Sequence, residues 1–437
     1  MIDNTETEKR DTMNDIIRNL LKNVEVPKFV KVRQTFDSTH IPPERIRETV
    51  FSILSRQDLA ARIRPGMRIC LTCGSRGIDN IVAIIAAVAE FCKQQGALPF
   101  AIPAMGSHGG ATAEGQLEVL HSFGITEESI GCPIISSMET KLIGQTEEGH
   151  PVQIDRNAAE ADGIIVINRI KPHTSFRGTY ESGLMKMMAI GLGKQKGAEV
   201  CHAAGFPKMH HMVPLFGKAI LKYAPVLCGV GIIENAFDHT AHLEALLAEE
   251  FEEKEPALLK KAFSLMPGIG FESCDVLVVD EIGKNISGCG MDPNISGVFA
   301  TPGMTGGIQA QRRCILGLTE ETHGNGYGMG AADAISERFY RELDLDKVYP
   351  NTITSTSLGF SKVPVIMDSD LNTIRLCIRT CNEKHPDGVR IVRIRNTLSL
   401  SEFEISEALI PEANKKDSFE ILTEPYELPF NEDGNLW

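Results

Sequence analysis

The feature that most constrains the fold is a repeated order of segments, in which a short apolar run is followed by a loop and then by a helix. The run MRICLT at Met67–Thr72 predicts a buried strand, and a helix is predicted over Asp79–Gln95. The second unit has a strand at Pro99–Pro103 and a helix that begins near Thr112. A third strand, GIIVIN, is predicted at Gly163–Asn168. Strands that alternate with helices in this way are typical of an α/β protein.

The loops that follow these strands predict where a ligand binds. In open α/β sheets, ligands bind at the carboxyl ends of the strands. We therefore expect one cleft formed by three loops, at Ser75–Asn80, Met105–Ala111 and Lys171–Lys186. Two of these loops contain glycine and lead into a helix, where backbone N–H groups and the helix dipole favour an anion such as a phosphate.

The domain organisation follows from the length and from a change of pattern. A chain of 437 residues favours two or three domains. Residues 1–25 are predicted to be a polar lead-in with one short amphipathic helix, residues 26–270 an N-terminal α/β domain, and residues 271–437 a C-terminal α/β domain that closes over the cleft. A charged helical region is expected near their junction, over Glu244–Phe263. The predicted fold is thus two α/β domains with a cleft between them, lined by glycine-rich loops at strand ends.

The composition disfavours several classes of partner. The formal net charge of −14 argues against nucleic acid and anionic membranes, and the longest apolar stretch, Asn80–Cys92, is too short to span a bilayer. The N-terminus lacks an apolar secretory segment, so we expect a cytoplasmic protein. Its 11 cysteines are then expected to be free thiols, although the spacing of Cys70 and Cys73 also matches a redox motif.

Two histidines are candidates for acid/base chemistry. His108 lies in GSHGG, where glycines let a ligand approach the backbone closely, and His173 lies in KPHTSFRG, beside the rigid Pro172. Imidazole titrates near neutral pH, and imidazoles on two separate loops could act on opposite faces of one substrate. The alternatives are that His108 bonds its own loop backbone and that His173 belongs to a surface turn.

Lys186 lies in the apolar, Met-rich segment SGLMKMMAIGLG. Burial would lower the pKa of this lysine and make its amine nucleophilic, whereas the alternative is a side chain that extends along an amphipathic helix to solvent. His202 follows on a separate predicted helix and could bind a metal, although a lone histidine does not define a metal site. Other lysines of this segment, among them Lys194 and Lys196, are expected to be solvated or to face a phosphate.

Three further cations are candidates for binding an anionic substrate. Arg76 and Arg177 are predicted to bind a carboxylate or phosphate, because the planar guanidinium fits both groups. Lys284, in DEIGKNISG, occupies a strand-end loop of the second domain and could reach a substrate carboxylate when the domains close. The alternative for each is an exposed salt bridge.

Taken together, these residues resemble the nickel-pincer-dependent lactate racemase family. The pattern is an arginine in the first strand-end loop, a histidine in the next, a histidine after the third strand, and then a lysine and a histidine. In this chain the matching residues are Arg76, His108, His173, Lys186 and His202. The resemblance covers most of the chain and is strongest from residue 70 to about 210.

The resemblance implies a racemase or epimerase that transfers a hydride reversibly from C2 of a 2-hydroxy acid to a nickel-pincer cofactor, a sulfur-bearing pyridinium mononucleotide. Lys186 would carry the cofactor covalently, His202 would complete the nickel coordination, and His108 and His173 would form the acid/base pair. Residues 26–270 would be the cofactor-binding domain. The other expected cofactor contacts are Ser75, Arg76, Gly77, Gly106 and Ser107, and the expected substrate contacts are Arg76, Arg177, Lys284, Asn285 and Asp292.

The chain departs from the family pattern at two places. Related racemases carry an acidic residue in a first loop of the form Asp-x-Thr-Arg, and this chain has Cys73 there, in TCGSRG. The segment GKNISGCGMDPN lacks the Tyr-Gln-x-x-Lys pattern of the second domain. We therefore predict a substrate longer than lactate, such as a sugar acid epimerised at C2, with Asn285, Asp292 and Asn294 near its additional hydroxyls.

The expected partners are a small-molecule 2-hydroxy acid and the enzymes that make the cofactor, and a homo-oligomer is left open. Two other functions compete with this prediction. A nickel-independent lyase or hydrolase could use His108 and His173 on the same scaffold, and its activity would survive both chelation and Lys186→Ala. A non-catalytic ligand-binding protein would bind its ligand without turnover.

Overall fold

The structure of the protein is a computed structural model, which describes residues 15–355, 357–383 and 385–437. The chain divides into two compact units. One unit is Asp37–Met266, and the other combines residues 15–36 with Pro267–Trp437. Each unit contains its own sheet flanked by helices, which confirms the predicted α/β class.

Strands and helices alternate along most of the chain. In the described residues the strands are β1 Phe29–Gln34, β2 Arg68–Cys73, β3 Leu98–Pro103, β4 Thr140–Gln145, β5 Pro151–Asp155, β6 Gly163–Arg169, β7 Val226–Glu234, β8 Thr240–Leu247, β9 Ser273–Ile282, β10 Gln309–Leu318, β11 Ala334–Ser336, β12 Val365–Met367, β13 Ile391–Ile394, β14 Glu402–Ser406 and β15 Phe419–Ile421. The α-helices of the same residues are α1 Asp15–Leu21, α2 Ile46–Leu54, α3 Gln57–Ala60, α4 Ile81–Gln94, α5 Ala113–Ser122, α6 Glu127–Ile130, α7 Arg156–Ala159, α8 Leu184–Lys186, α9 Lys194–His202, α10 Met209–Tyr223, α11 Phe251–Leu265, α12 Pro293–Ser296, α13 Glu337–Glu342, α14 Leu345–Ser355, α15 Asp370–Thr380 and α16 Ile410–Ala413. None of the helices in this part of the chain combines the length and apolarity that crossing a membrane requires.

The unit Asp37–Met266 is built on a five-stranded sheet with the order β3-β2-β6-β7-β8. The first four strands are parallel, and β8 pairs antiparallel with β7. Strands β2 and β6 are buried along almost their whole length, which explains why they appear in the sequence as continuous apolar runs. Because β3, β2 and β6 are neighbours and parallel, the loops that follow them emerge at one edge of the sheet.

The predicted helices after β2 and β3 are present, with small shifts at their starts. Helix α4 begins at Ile81 because Asn80 adopts a left-handed backbone conformation with φ of 58°. Helix α5 begins at Ala113, and the Thr112 side chain caps it by accepting a hydrogen bond from the backbone N–H of Gly115. Cys70 and Cys73 are both buried free thiols, as are most of the other cysteines.

One predicted helix is wrong at its start. The charged helical region was expected to begin at Glu244, but Glu244–Leu247 is the end of β8, and helix α11 begins only at Phe251. The reason is long-range pairing, because Leu243, Leu246 and their neighbours pair antiparallel with β7 and are buried there.

The second unit has an eight-stranded sheet with the order β12-β11-β10-β9-β13-β14-β1-β15. Strand β1 pairs with β14 and β15, so residues 29–34 belong to this sheet, although the sequence placed them in the N-terminal domain. Strand pairing over such a separation leaves no local signal in the sequence. Of the predicted lead-in, α1 is helical as expected, and residues 1–14 lie outside the described residues.

Candidate active site

The candidate site lies at the carboxyl edge of the five-stranded sheet. Arg76 lies in the loop after β2, His108 in the loop after β3, and His173 in the loop after β6. These strands are adjacent in the order β3-β2-β6, which brings the three loops together. The side chains influence one another electrostatically, since the positive charge of Lys186 lowers the pKa of both His108 and His173.

Lys186 ends the short helix α8, which continues as a π-helical stretch over Met187–Leu192. The His108 loop lies directly against this stretch, because the backbone N–H of Gly106 donates to the carbonyl of Gly191 at 3.3 Å. A Cβ on Gly191 would come within 2.6 Å of the carbonyl oxygen of Ala104, so only glycine permits this approach.

A buried carboxyl group caps the helix that carries Lys186. Glu255, on α11, accepts a hydrogen bond from the backbone N–H of Met185 at 3.0 Å. Burial raises the pKa of Glu255 to about 8. A Cβ on Gly183 would lie 2.0 Å from this carboxyl group, so the start of the helix fits closely against Glu255.

The Lys186 side chain is half-buried, and its ammonium lies 5.9 Å from the centre of the Phe176 ring. Burial, together with the nearby Arg76 charge, lowers the pKa of Lys186 to about 8, while Glu181 and Cys201 act in the opposite direction. This lysine therefore has a larger fraction of neutral, nucleophilic amine near pH 7 than a lysine in water.

His108 retains solvent exposure, but desolvation by the surrounding protein and the charges of Arg76 and Lys186 lower its pKa to about 4. The side chain of Gln116 supports the His108 loop. Gln116 donates from its amide nitrogen to the carbonyl of Gly106 at 2.9 Å and to that of His108 at 3.2 Å. The imidazole is therefore neutral at pH 7 and lies on a supported loop.

His173 is half-buried, and burial followed by the charges of Lys186 and Arg177 lowers its pKa well below the usual value. Its Nδ1 accepts a hydrogen bond from the backbone N–H of Ser175 at 3.0 Å, which leaves the proton of the neutral ring on Nε2. The ring lies 4.4 Å from that of Phe176.

Glu181 organises the His173 loop and was not predicted from the sequence. It is only 2% exposed, and it accepts hydrogen bonds from the backbone N–H groups of His173 at 2.6 Å and of Gly178 at 3.3 Å. Arg177 lies 3.3 Å from this carboxylate and also donates to the carbonyl of His173. Through these contacts Arg177 helps to support the loop. The anion binding predicted for Arg177 stays a prediction.

His202 is the last residue of α9, exposed to solvent, and desolvation followed by the charge of Lys186 lowers its pKa. A neutral imidazole here can offer one nitrogen to a metal. The described residues contain no group of three or more His, Cys, Asp or Glu side chains that could hold a metal ion. Lys186, whose charge reaches His202, offers an amine that could anchor a group carrying its own metal ligands.

Lys194 contradicts its prediction as a solvated or phosphate-facing charge, because its side chain is 0% exposed. It forms a buried ion pair with Asp155, and a charge in the interior requires such a partner. The exposed Lys196 does match the expectation. In the sequence GLGKQKG the two lysines look equivalent, and only the tertiary contacts distinguish them.

The remaining predicted residues fall into two groups. Ser75, Gly77 and Ser107 lie on the same strand-end loops as Arg76 and His108. In the other unit, the Lys284 ammonium donates to the carbonyl of Gly288 and lies 4.4 Å from the Tyr327 ring centre. In the same unit, Asn285 accepts a hydrogen bond from Thr319, and Asp292 caps α12 by accepting one from the N–H of Asn294. Substrate binding by these last residues stays a prediction.

Comparison with known proteins gives two matches. Residues 19–212 match the lactate racemase N-terminal domain family. Among solved structures, the chain is similar to the lactate racemase apoprotein from Thermoanaerobacterium thermosaccharolyticum, with 13% identity, a TM-score of 0.46, and coverage of 85% of this chain and 99% of that chain. No curated protein matches. The segment matched by the family contains Arg76, His108, His173, Lys186 and His202.

Proposed function

Because residues 19–212 match the lactate racemase N-terminal domain family, we propose that the chain is an isomerase that racemises or epimerises a 2-hydroxy acid at C2. The observation that carries this proposal is that His108 and His173 lie on loops of neighbouring parallel strands, each close enough to Lys186 for its charge to lower the pKa of the imidazole. Inversion of a stereocentre requires acid/base groups on both faces of the substrate, and two histidines on separate loops can supply them.

The two histidines are proposed to exchange the hydroxyl proton of the substrate. Both imidazoles are neutral at pH 7, so each can accept that proton. Covalent attachment at Lys186 would remove its positive charge, and an anionic substrate near Arg76 would offset another. Both changes would raise the pKa of His108 and His173 toward neutrality, because these charges lower it. Each ring could then both take the proton from one enantiomer and return it to the other.

We propose that Lys186 holds the nickel-pincer mononucleotide covalently, that His202 gives the metal one nitrogen ligand, and that the loops with Ser75, Gly77, Gly106 and Ser107 contact the nucleotide. When bound, this group supplies the chemistry that accepts the C2 hydride and returns it. The chain itself provides a half-buried amine, a neutral imidazole and backbone N–H groups at a strand-end edge. The apolar residues around Lys186 would limit the access of water.

The substrate carboxylate is proposed to bind near Arg76 and Arg177. Arg169 adds positive charge beside Arg76, although Glu234 pairs with it. Contacts to a longer substrate are proposed for Lys284, Asn285 and Asp292 of the second unit. The proposed setting is the cytoplasm, together with the enzymes that make the cofactor.

The test is to produce the full chain together with cofactor-making enzymes of the lactate racemase type. The purified protein is incubated with chiral 2-hydroxy acids and aldonic acids, and inversion at C2 is followed by chiral chromatography. We expect inversion of at least one acid, protein-bound nickel, and a covalent adduct in the intact mass. Lys186→Ala should lose the adduct and the inversion, while Lys196→Ala, an exposed lysine on the next helix, should keep both.

Inversion that persists in Lys186→Ala and in the presence of a chelator would contradict the proposal. Turnover of a different kind under those conditions would favour the nickel-independent lyase or hydrolase. Binding of an acid without any turnover, and without dependence on His108, would favour a ligand-binding protein.

A further inference from the structure

The buried Lys194 ammonium has three polar partners. Its ammonium donates to the carbonyl of Pro103 at 2.5 Å and to the amide oxygen of Gln116 at 3.1 Å, and it lies 3.2 Å from the carboxylate of Asp155. Both Lys194 and Asp155 are 0% exposed. The first two contacts are hydrogen bonds, and the third is an ion pair, so the buried ammonium is surrounded by three polar groups.

Gln116 links this charge to the backbone of His108. Its side chain is also 0% exposed, and while its oxygen accepts from Lys194, its nitrogen donates to the carbonyls of Gly106 and His108. Pro103, the other acceptor of Lys194, is the last residue of β3, from which the His108 loop begins. The ammonium therefore fixes the start of this loop directly and its middle through one amide.

Lys194 also has a special place along the chain. It begins helix α9, which ends at His202, and it follows the π-helical stretch that continues from Lys186. Its backbone is left-handed, with φ of 51°, a strained conformation for a residue with a side chain. Such strain persists only where the surrounding structure imposes it, so Lys194 occupies a closely determined position in the chain.

We propose that Lys194 is a positioning residue, which joins the loop of His108 to the helices of Lys186 and His202 and fixes their relative placement. This inference rests on the proposed function for its catalytic meaning. Replacing a buried ion pair with uncharged residues is often neutral for stability, so the pair is weak evidence of a stabilising role. Its contacts lead instead to the backbone of a predicted acid/base residue.

The test removes the charges together, because Lys194→Met alone would leave Asp155 buried and unpaired and could prevent folding. In the double variant Lys194→Met/Asp155→Asn, the asparagine oxygen can still accept from the N–H groups of Asn157 and Ala158, which Asp155 caps. A second variant, Gln116→Met, leaves the ion pair and removes the amide that links Lys194 to the carbonyls of Gly106 and His108. The matched control is Lys196→Met on the exposed face of α9.

Two measurements are made on the full chain. In the apoprotein, amide hydrogen exchange of residues 104–112 should become about tenfold faster or more in both test variants, while residues 173–182, held by Glu181, should exchange as in the wild type. In the cofactor-loaded protein, kcat for inversion should fall about 100-fold with little change in KM, because misplacement of a reacting group affects the chemical step. The covalent adduct at Lys186 should remain.

Unchanged exchange of residues 104–112 in a folded double variant would overturn the positioning role, and so would an unchanged kcat. Equal loss of protection in both loops would also overturn it, because that result indicates general destabilisation. If the wild type inverts no acid, the proposed function fails, and the exchange measurement still decides whether Lys194 holds the His108 loop.

Discussion

The loops of His108 and His173 are each held by a buried charged residue, and the two residues have opposite charges. The first is held by a buried cation, Lys194, through the amide of Gln116, and the second by a buried carboxylate, Glu181, that accepts backbone N–H groups directly. Desolvation and nearby positive charges lower the pKa of both histidines, so both imidazoles are neutral at pH 7. The difference reflects which backbone groups face inward, because carbonyls require a donor behind them and N–H groups require an acceptor.

Lys194 and Glu181 also differ in how their charges affect the site. Asp155 compensates the charge of Lys194 within the interior, whereas Glu181 lies close enough to Lys186 to oppose the lowering of its pKa. The support of the His173 loop is therefore electrostatically coupled to Lys186, whereas the His108 loop also contacts the segment after Lys186 through the hydrogen bond between Gly106 and Gly191.

The largest effect should separate the two histidines by stereochemistry. His108→Gln and His173→Gln should each reduce inversion about 10²–10⁴-fold, because each removes the acid/base group of one face. In single-turnover experiments with loaded protein, each variant should still form 2-keto acid from one enantiomer, and the favoured enantiomer should be opposite in the two variants. If both variants lose activity toward the same enantiomer, the two histidines do not act on opposite faces of the substrate. The control, His121→Gln, changes the histidine in the last turn of α5.

A smaller effect is expected from removing the anionic support. Glu181→Ala leaves the buried N–H groups of His173 and Gly178 without their acceptor, so the free energy of unfolding should fall by about 1–3 kcal/mol. Urea unfolding measures this change, and the exposed Glu199→Ala serves as control. Equal stability of the two variants would mean that the carboxylate does not hold the loop.

The last effect is absent at neutral pH and concerns the pH dependence of stability. A histidine whose pKa is lower in the folded than in the unfolded protein binds more protons when unfolded, so it lowers stability as the pH falls below about 6.5. For His108 this loss should level off near pH 4, whereas for His173, with a pKa well below its usual value, it should continue to lower pH. Urea unfolding of His108→Gln and His173→Gln across this range should show a flatter profile for each. A profile that matches the wild type would show that the pKa of that histidine is not lowered.

The order of strands and helices in the first unit could be predicted because buried parallel strands form continuous apolar runs. The same reasoning placed Arg76, His108 and His173 on neighbouring loops, since parallel strands end at one edge. The apolar segment around Lys186 correctly indicated a lysine with a lowered pKa.

The supports behind these residues could not be predicted, because they are contacts between distant parts of the chain. Nothing in the local sequence distinguishes the buried Lys194 from the exposed Lys196, or identifies Gln116 as the partner of a lysine in another segment. The pairing of β1 with β14 was missed for the same reason. Local periodicity shows which residues are buried, and it does not show which residues meet.

The cap formed by Glu255 has a consequence for Lys186, which lies in the first turn of the capped helix. A carboxyl group with a pKa of about 8 is mostly protonated at pH 7, so it accepts the hydrogen bond of Met185 without placing a negative charge at the start of the helix. The partial positive charge of the helix N-terminus then remains uncompensated, and it disfavours an ammonium group in the first turn. An ionised cap at this position would raise the pKa of Lys186 toward its usual value, so the neutrality of one acid helps to keep a larger fraction of this amine neutral and available for bond formation.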